Sequence, residues 1–266
     1  MPLAICATPI GNLEDVTLRV LAELRDADLV LAEDTRHTRT LLERHDIRAK
    51  LLSYQAHNEE ARLREVLPRL ESGERITLVS DAGLPGISDP GMRLVRAARD
   101  AGVAVTVLPG PSAATTALVA SGLDETRFMF VGFLPRRDVE RDRLWESLAA
   151  WEGAIVAYES PRRLAATLRS LARHDPARTV VVCRELTKRY EEVVHGTAAE
   201  LAERFAGPVK GEITLVLGSA APRSDPADAL AAVRELVAAG APRGAAAEVV
   251  ARLTGTPRNE LYRGTL

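Results

Sequence analysis

Leu78-Val79-Ser80-Asp81-Ala82-Gly83-Leu84-Pro85-Gly86-Ile87-Ser88-Asp89-Pro90-Gly91 is the stretch on which the reading of this chain turns. An apolar, strand-like run from Arg75 to Val79 empties into a loop with three Gly, two Pro, two Ser and two Asp, and a helical pattern opens at Met92. Ordering such a loop is costly, because Gly loses more freedom on folding than any other residue. In return Gly reaches positive φ and lets the backbone lie close against a ligand. Plain strand-to-helix connections run about two to six residues, and this one is longer, which favours a ligand loop. Asp81 stands at the strand's carboxyl end, where open α/β sheets place their ligands. The bland alternative for Asp81 is a carboxylate satisfied by the loop's own backbone amides.

The same strand, polar loop and helix cadence surrounds this stretch. Leu3 to Ala7 is apolar and ends in Thr8-Pro9-Ile10-Gly11-Asn12, followed by a helix with Val16, Val20, Leu21 and Leu24 on one face and Asp15 as its expected N-cap. Three spaced glycines are lacking, so this is not the dinucleotide fingerprint. Asp28 to Ala32 is a second strand, stopping at Glu33-Asp34-Thr35-Arg36-His37-Thr38-Arg39; Leu51 to Tyr54 is a third, followed by Gln55 to Glu60 with His57. Val103 to Leu108 ends in Pro109-Gly110-Pro111-Ser112-Ala113 and a helix of small residues. Alternation of this kind predicts a parallel α/β sheet with right-handed crossovers, its functional loops on one edge.

After Gly122-Leu123-Asp124, a junction by its composition, the character changes. Strands are expected at Phe128–Phe133, Ala154–Tyr158, Thr179–Cys183, Tyr190–Gly196 and Glu212–Leu217. The short Arg184–Arg189 separation predicts antiparallel neighbours and hence a mixed sheet. Ser219 to Asp228 reads as a linker, and two or three short helices with a helix–turn–helix cadence follow. The expected division is residues 1–121, 122–218 and 219–266. From Asp228 onward five Arg face one Asp and three Glu, so a helical cap and a nucleic-acid clamp both stay open for the last segment.

With 266 residues, 46% hydrophobic and 27% charged, the chain can build two proper cores. A formal charge of −2 excludes a molecule that binds nucleic acid by bulk charge, though not by a local basic surface. Cys6 and Cys183 sit in apolar runs without metal-ligand spacing, so no metal and no disulfide framework is expected. Neither a signal peptide nor a membrane-spanning run is visible, and the expected location is the cytoplasm.

Several motifs in order resemble the tetrapyrrole methylase superfamily: Gly11-Asn12-Leu13-Glu14-Asp15-Val16-Thr17-Leu18-Arg19, Asp81-Ala82-Gly83 and Pro109-Gly110-Pro111-Ser112-Ala113. Ala7 to Leu13, Glu33 to Thr38, Ser80 to Gly91, Tyr158-Glu159-Ser160-Pro161-Arg162-Arg163, Lys210 to Thr214 and Arg258-Asn259-Glu260-Leu261-Tyr262 resemble its ribosomal RNA small-subunit methyltransferase branch. That resemblance covers nearly the whole chain. It implies a two-domain fold with a mainly parallel N-terminal sheet, a mixed C-terminal sheet and a small helical extension. It also implies S-adenosylmethionine as methyl donor, a cytidine ribose 2′-hydroxyl in the decoding region of small-subunit (16S) RNA as acceptor, and a homodimer. The first loop departs from porphyrin-type members, which speaks against a corrinoid or porphyrin substrate.

Carried over by matching position, the cofactor contacts are Pro9, Asp81, Ala82, Gly83, Leu84, Ile87, Ser112 and Ala113, joined by Tyr158, Glu159, Ile213 and Thr214. A ribose hydroxyl is a weak acid and benefits from a nearby base. Glu33, Asp34, His37 and His57 follow strand ends and are the candidates, the alternative being a solvated helix start capped by Asp34 or Thr35. Arg36, Arg39, Arg136, Arg137, Arg162, Arg163, Arg184, Lys188 and Arg189 are candidate phosphate contacts. Two other readings stay open: a methyltransferase of a corrinoid small molecule, and a non-enzymatic ribosome-binding protein of the same fold.

Overall fold

The computed structural model describes residues 2–219 and 226–265. Most of the expected linker, residues 220–225, lies outside them. The first sheet consists of β1 (Leu3–Cys6), β2 (Leu29–Ala32), β3 (Leu51–Ser53), β4 (Ile76–Val79) and β5 (Val105–Leu108). All its pairings are parallel, in the order β3-β2-β4-β1-β5. β1, β2 and β4 are buried at every position, as strands covered on both faces must be. Helices α1 (Leu18–Asp26) and α2 (Thr35–Arg44) cover one face, with Val20, Leu24, Leu41 and Leu42 against Ala4, Cys6 and Val30. On the other face α3 (Glu59–Glu71) and α4 (Met92–Asp100) bring Val66, Leu70 and Leu94 against Leu3, Ile5 and Leu78.

Strand alternation sends neighbouring residues to opposite cores. Connections from β1 run outward over one face and those from β3 return over the other, so the strand order reverses between β1 and β4. Their carboxyl ends, Thr8-Pro9 and Ser80-Asp81, flank that crevice, the usual ligand position in an open α/β sheet. The expected cap at Asp15 is corrected. Asn12 accepts the Glu14 N–H and starts a 3-10 turn over Leu13–Asp15, so α1 begins later, capped by the Thr17 hydroxyl on Val20 N–H at 3.2 Å.

α5 (Ala113–Ala120) leads out of the first sheet, yet its buried face belongs elsewhere. Ala114 and Ala117 pack with Val156, Val181, Cys183 and Val216 of the second sheet. Small side chains let helix and sheet approach closely, which accounts for this helix's composition. The second sheet comprises β6 (Phe128–Phe133), β7 (Ala154–Glu159), β8 (Thr179–Arg184), β9 (Glu192–Thr197) and β10 (Ile213–Leu217), in the order β6-β7-β10-β8-β9. β6 and β7 are parallel and the remaining pairs antiparallel, making the sheet mixed. Its other face carries α6 (Asp138–Leu148), α7 (Leu164–His174) and α8 (Ala198–Arg204) through Trp145, Leu164, Leu168 and Leu201. Three more helices close the chain: α9 (Pro226–Ala238), α10 (Arg243–Thr254) and α11 (Arg258–Arg263).

The two sheets meet at a defined seam. Asn12 N–H donates to the Thr187 hydroxyl at 3.0 Å, tying the β1 loop to the β8–β9 connection. A Cβ on Gly11 would stand 2.5 Å from Lys188 Cγ and 2.9 Å from the Leu186 carbonyl, so only glycine permits this approach. Cys6 and Cys183 are buried, and burial first of all pushes both thiols up to about 12, leaving them unreactive.

Candidate active site

A cleft of about 410 Å³ lies between the carboxyl edge of the first sheet and the end of the second. The volume falls within the range that holds a drug-sized molecule. Its floor is the Asp81 loop. Gly83 adopts φ +78° and exchanges two backbone hydrogen bonds with Thr8, at 2.8 and 3.0 Å. An L side chain there would be held in the left-handed region at a cost of about 1–2 kcal/mol. Thr8 Oγ1 and Ser80 Oγ donate further into the loop carbonyls. At its far end Gly91 N–H donates to Glu59, which also accepts from Tyr54 Oη. The loop is therefore pinned at both ends while Ala82 and Ile87 stay exposed.

Of the twelve residues matched to cofactor contacts, Asp81, Ala82, Gly83, Leu84, Ile87, Ser112, Ala113, Tyr158, Glu159, Ile213 and Thr214 line the cleft. Pro9 does not; it is buried in the turn behind the Thr8–Gly83 bridge. The second-sheet wall is set by register: Ile213 pairs with Glu159 and Thr214 with Tyr158 across β10 and β7. Glu159 meets the cleft with its backbone only. Its carboxylate is fully buried, accepting from Ser160 N–H at 2.6 Å and Thr167 Oγ1 at 2.5 Å and pairing with Arg163 at 2.6 Å. Tyr158 is held edge-on between Phe130 and Phe133, and burial raises its pKa against an opposing bond from the Ala114 backbone.

Lining residues that the sequence did not single out are Ile10, Ser88, Asp89, Phe133, Ser160, Pro161, Gly211 and Glu212. Asp89 carries chemistry. Burial pushes its carboxyl up to about 6, the charges of Glu33 and Asp81 add to the rise, and a Ser80 hydrogen bond opposes it. The preceding residue, Ser88, is held at φ +71°, a strained conformation for serine that turns the chain within the lining. Glu33 is also raised, by burial first and then by the Asp81 charge. Asp81 Oδ1 accepts the Asp34 backbone N–H at 2.9 Å, linking the ends of β4 and β2.

Among the base candidates, only Glu33 lines the cleft. Asp34 caps α2 through Arg36 N–H at 2.8 Å and pairs with the Arg36 guanidinium at 2.7 Å. That side-chain bond holds its carboxyl well below the usual carboxylate range, a poor setting for a base. His37 and His57 are exposed and outside the lining. The candidate phosphate contacts divide in the same way. Arg36, Arg137, Arg184 and Lys188 are engaged by Asp34, Glu140, Glu192 and the Glu185–Glu212 pair respectively, and Arg163 by Glu159. Arg189 is exposed and stacks over its neighbour Tyr190. Arg39, Arg136 and Arg162 are exposed, without an ion-pair partner among the described residues.

Together, a two-sheet α/β body and a cleft at the strand-order reversal define the small-molecule-binding class of open α/β proteins. The chain belongs to the tetrapyrrole (corrin/porphyrin) methylases, whose family model matches residues 2–202, and residues 223–265 match the RsmI C-terminal HTH domain. Within that family it is 46% identical to the ribosomal RNA small subunit methyltransferase I of Mycobacterium tuberculosis, over 99% of this chain and 94% of the relative. The Thermotoga maritima protein of the same name is 46% identical over 216 residues, which is 81% of this chain and 97% of the relative. Among solved structures, the uroporphyrin-III C-methyltransferase of Thermus thermophilus complexed with S-adenyl homocysteine superposes with a TM-score of 0.58 at 21% identity, covering 82% of this chain and 97% of that one.

Proposed function

We propose that this protein transfers a methyl group from S-adenosylmethionine to the ribose 2′-hydroxyl of a cytidine in the decoding region of small-subunit (16S) ribosomal RNA. The observation that carries the reading is the cleft itself, which joins a pinned glycine loop to a cluster of carboxylates. Its make-up fits the cofactor. Ile10, Leu84, Ile87 and Ile213 offer apolar surface for an adenine, the Ala82-Gly83 backbone can lie close, and Asp81 can accept from hydroxyl or amino groups. Burial and the neighbouring carboxylate charges raise the pKa of Glu33 and of Asp89, an arrangement that a cationic ligand relieves. Bound there, the cofactor supplies an electrophilic methyl carbon on a sulfonium. Most of the catalysis is then positioning. Asp89 takes the ribose proton, being ionised at neutral pH yet more basic than an ordinary aspartate, and Glu33 sustains that basicity.

Near-full-length similarity to proteins named ribosomal RNA small subunit methyltransferase I supports the RNA substrate. Arg39, Arg136 and Arg162 flank the cleft in sequence and reach for phosphates. No helix among the described residues is long and apolar enough to cross a membrane, and the reading places the protein with ribosomes in the cytoplasm. The test offers labelled S-adenosylmethionine with unmethylated small subunits, free ribosomal RNA and a corrinoid precursor in parallel. Label in an alkali-resistant dinucleotide supports ribose methylation; label only in the corrinoid overturns it. In addition, Asp81→Ala is expected to raise the cofactor Kd by roughly tenfold or more in calorimetry, as loss of a charged hydrogen bond implies. Unchanged affinity in the folded variant would remove Asp81 from the site.

The same reading includes a homodimer. Edge strands β5 and β6 and helix α5 leave Val107, Phe128, Phe133 and Val119 exposed, the last at 81%. Large apolar side chains exposed on sheet edges call for cover. Sedimentation at micromolar concentration is expected to give a dimer that Phe128→Asp weakens; a monomeric wild type sinks the idea.

A further inference from the structure

Helices α9, α10 and α11 form a core of their own from Ala229, Val233, Ala246, Ala247, Val250 and Leu261. Small residues let the helices pack closely. α10 ends at Gly255 with φ +70°, Thr256 is buried and its N–H and hydroxyl bond to Thr254 Oγ1, and Pro257 precedes α11. A three-residue turn between two packed helices is the helix–turn–helix connection. In α11 only Leu261 is buried. At 100° per residue, Asn259 and Arg263 point away from Leu261, with Tyr262 and Arg258 beside them. On α10, which packs against α11, Arg252 is exposed and Leu253 is 73% exposed.

Arg252, Arg258 and Arg263 have no ion-pair partner among the described residues, unlike most of the arginines around the second sheet. Three unpaired guanidiniums with an Asn and a half-exposed Tyr are the side chains that contact phosphate, base edges and unstacked bases. Glu260 is the one acid on α11. A second observation separates this unit from the chemistry. The Thermotoga maritima relative aligns over 216 residues with 97% of its own length. That length accommodates the two α/β sheets and leaves no room for a further three helices, so the methylase body exists without them.

We infer that the outer face of α11, with Arg252 of α10, is an RNA-docking surface that grips the phosphate backbone of the small-subunit RNA away from the methylated ribose. The inference rests on the RNA substrate proposed above. The helices add affinity and register for the substrate while the cleft supplies cofactor binding and methyl transfer.

The test uses the full-length chain and its Arg258→Ala/Arg263→Ala variant, both positions being exposed. Binding of 16S ribosomal RNA and of small subunits is followed across a salt series, with cofactor affinity measured in parallel. Expected are a roughly tenfold or greater loss of RNA affinity and a salt slope shallower by about two, one per lost phosphate contact, at unchanged cofactor affinity. Tyr262→Ala is expected to weaken RNA binding without altering the slope. Wild-type affinity and slope in the double variant overturn the docking surface alone. Weakened binding to assembled subunits with naked RNA unaffected overturns it in favour of a ribosomal protein contact. A wild type that binds neither RNA nor subunits overturns this inference together with the proposed substrate.

Discussion

Asp89→Asn is expected to lower turnover by about 10²- to 10⁴-fold, the range that a positioned base contributes, with a much smaller loss of cofactor affinity from neutralising one of the carboxylates that face the cation. The variant keeps the size and the loop geometry and removes only the group that receives the proton. Its pH dependence separates this role from simple disruption. In the wild type, turnover climbs as pH rises through about 6, where Asp89 ionises in the folded protein, and is flat above. Asp89→Asn lacks that limb. Glu33→Gln removes one of the charges that raise Asp89, so the limb moves to lower pH. Stability carries the same signature with a fixed sign. Because the folded-state pKa is raised from 3.8 to about 6, the native state binds the proton more tightly, and stability is lost as pH rises between those values. Asp89→Asn is therefore expected to gain stability relative to wild type above pH 6. Full turnover in Asp89→Asn, with Glu33→Gln inactive, would hand the proton to Glu33 instead.

The route to this residue shows what the chain discloses locally. Apolar runs at Leu3–Cys6, Leu29–Ala32 and Ile76–Val79 announce buried parallel strands, and the Gly/Pro loops after them announce the ligand edge. Both signals are short-range, so the α/β architecture and the Asp81 loop were legible. Asp89 sits in the same loop but resembles a turn residue, since aspartate before Pro-Gly is ordinary turn chemistry. What distinguishes it is burial and the nearness of Glu33, which arrives from β2, and no local window contains that. His37 and His57 err in the opposite direction: their residue type suggests acid–base work, yet His37 on α2 and His57 in the turn before α3 are both exposed and outside the cleft. Phe133 and Gly211 enter the lining only through the pairing of β6, β7 and β10, a register between segments far apart in sequence. α5 belongs to the first half by its position in the chain, whereas Ala114 and Ala117 pack on the second sheet.

Glu159→Ala is expected to give the largest loss of stability of any single change at the site, about 3–5 kcal/mol, the range for breaking a buried ion pair by removing one partner. The residue matched a cofactor contact by sequence, but its carboxylate is 0% exposed and spends both oxygens inside the protein. Removing it leaves Arg163 without its charge partner, the Thr167 hydroxyl without its acceptor and the Ser160 N–H without its cap. Arg163 also donates to the Leu134 carbonyl at 3.0 Å, so β6, β7 and α7 loosen together. Denaturant unfolding followed by circular dichroism measures the loss. A double variant in which Met replaces both Glu159 and Arg163 should recover much of it, since an apolar pair of similar volume needs no compensating charge. Because Glu159 is paired in register with Ile213, and Tyr158 with Thr214, the single variant should also weaken cofactor binding in the folded fraction. A loss below about 1 kcal/mol, within the ordinary range for exposed pairs, would mean that the Glu159–Arg163 pair does not hold this wall.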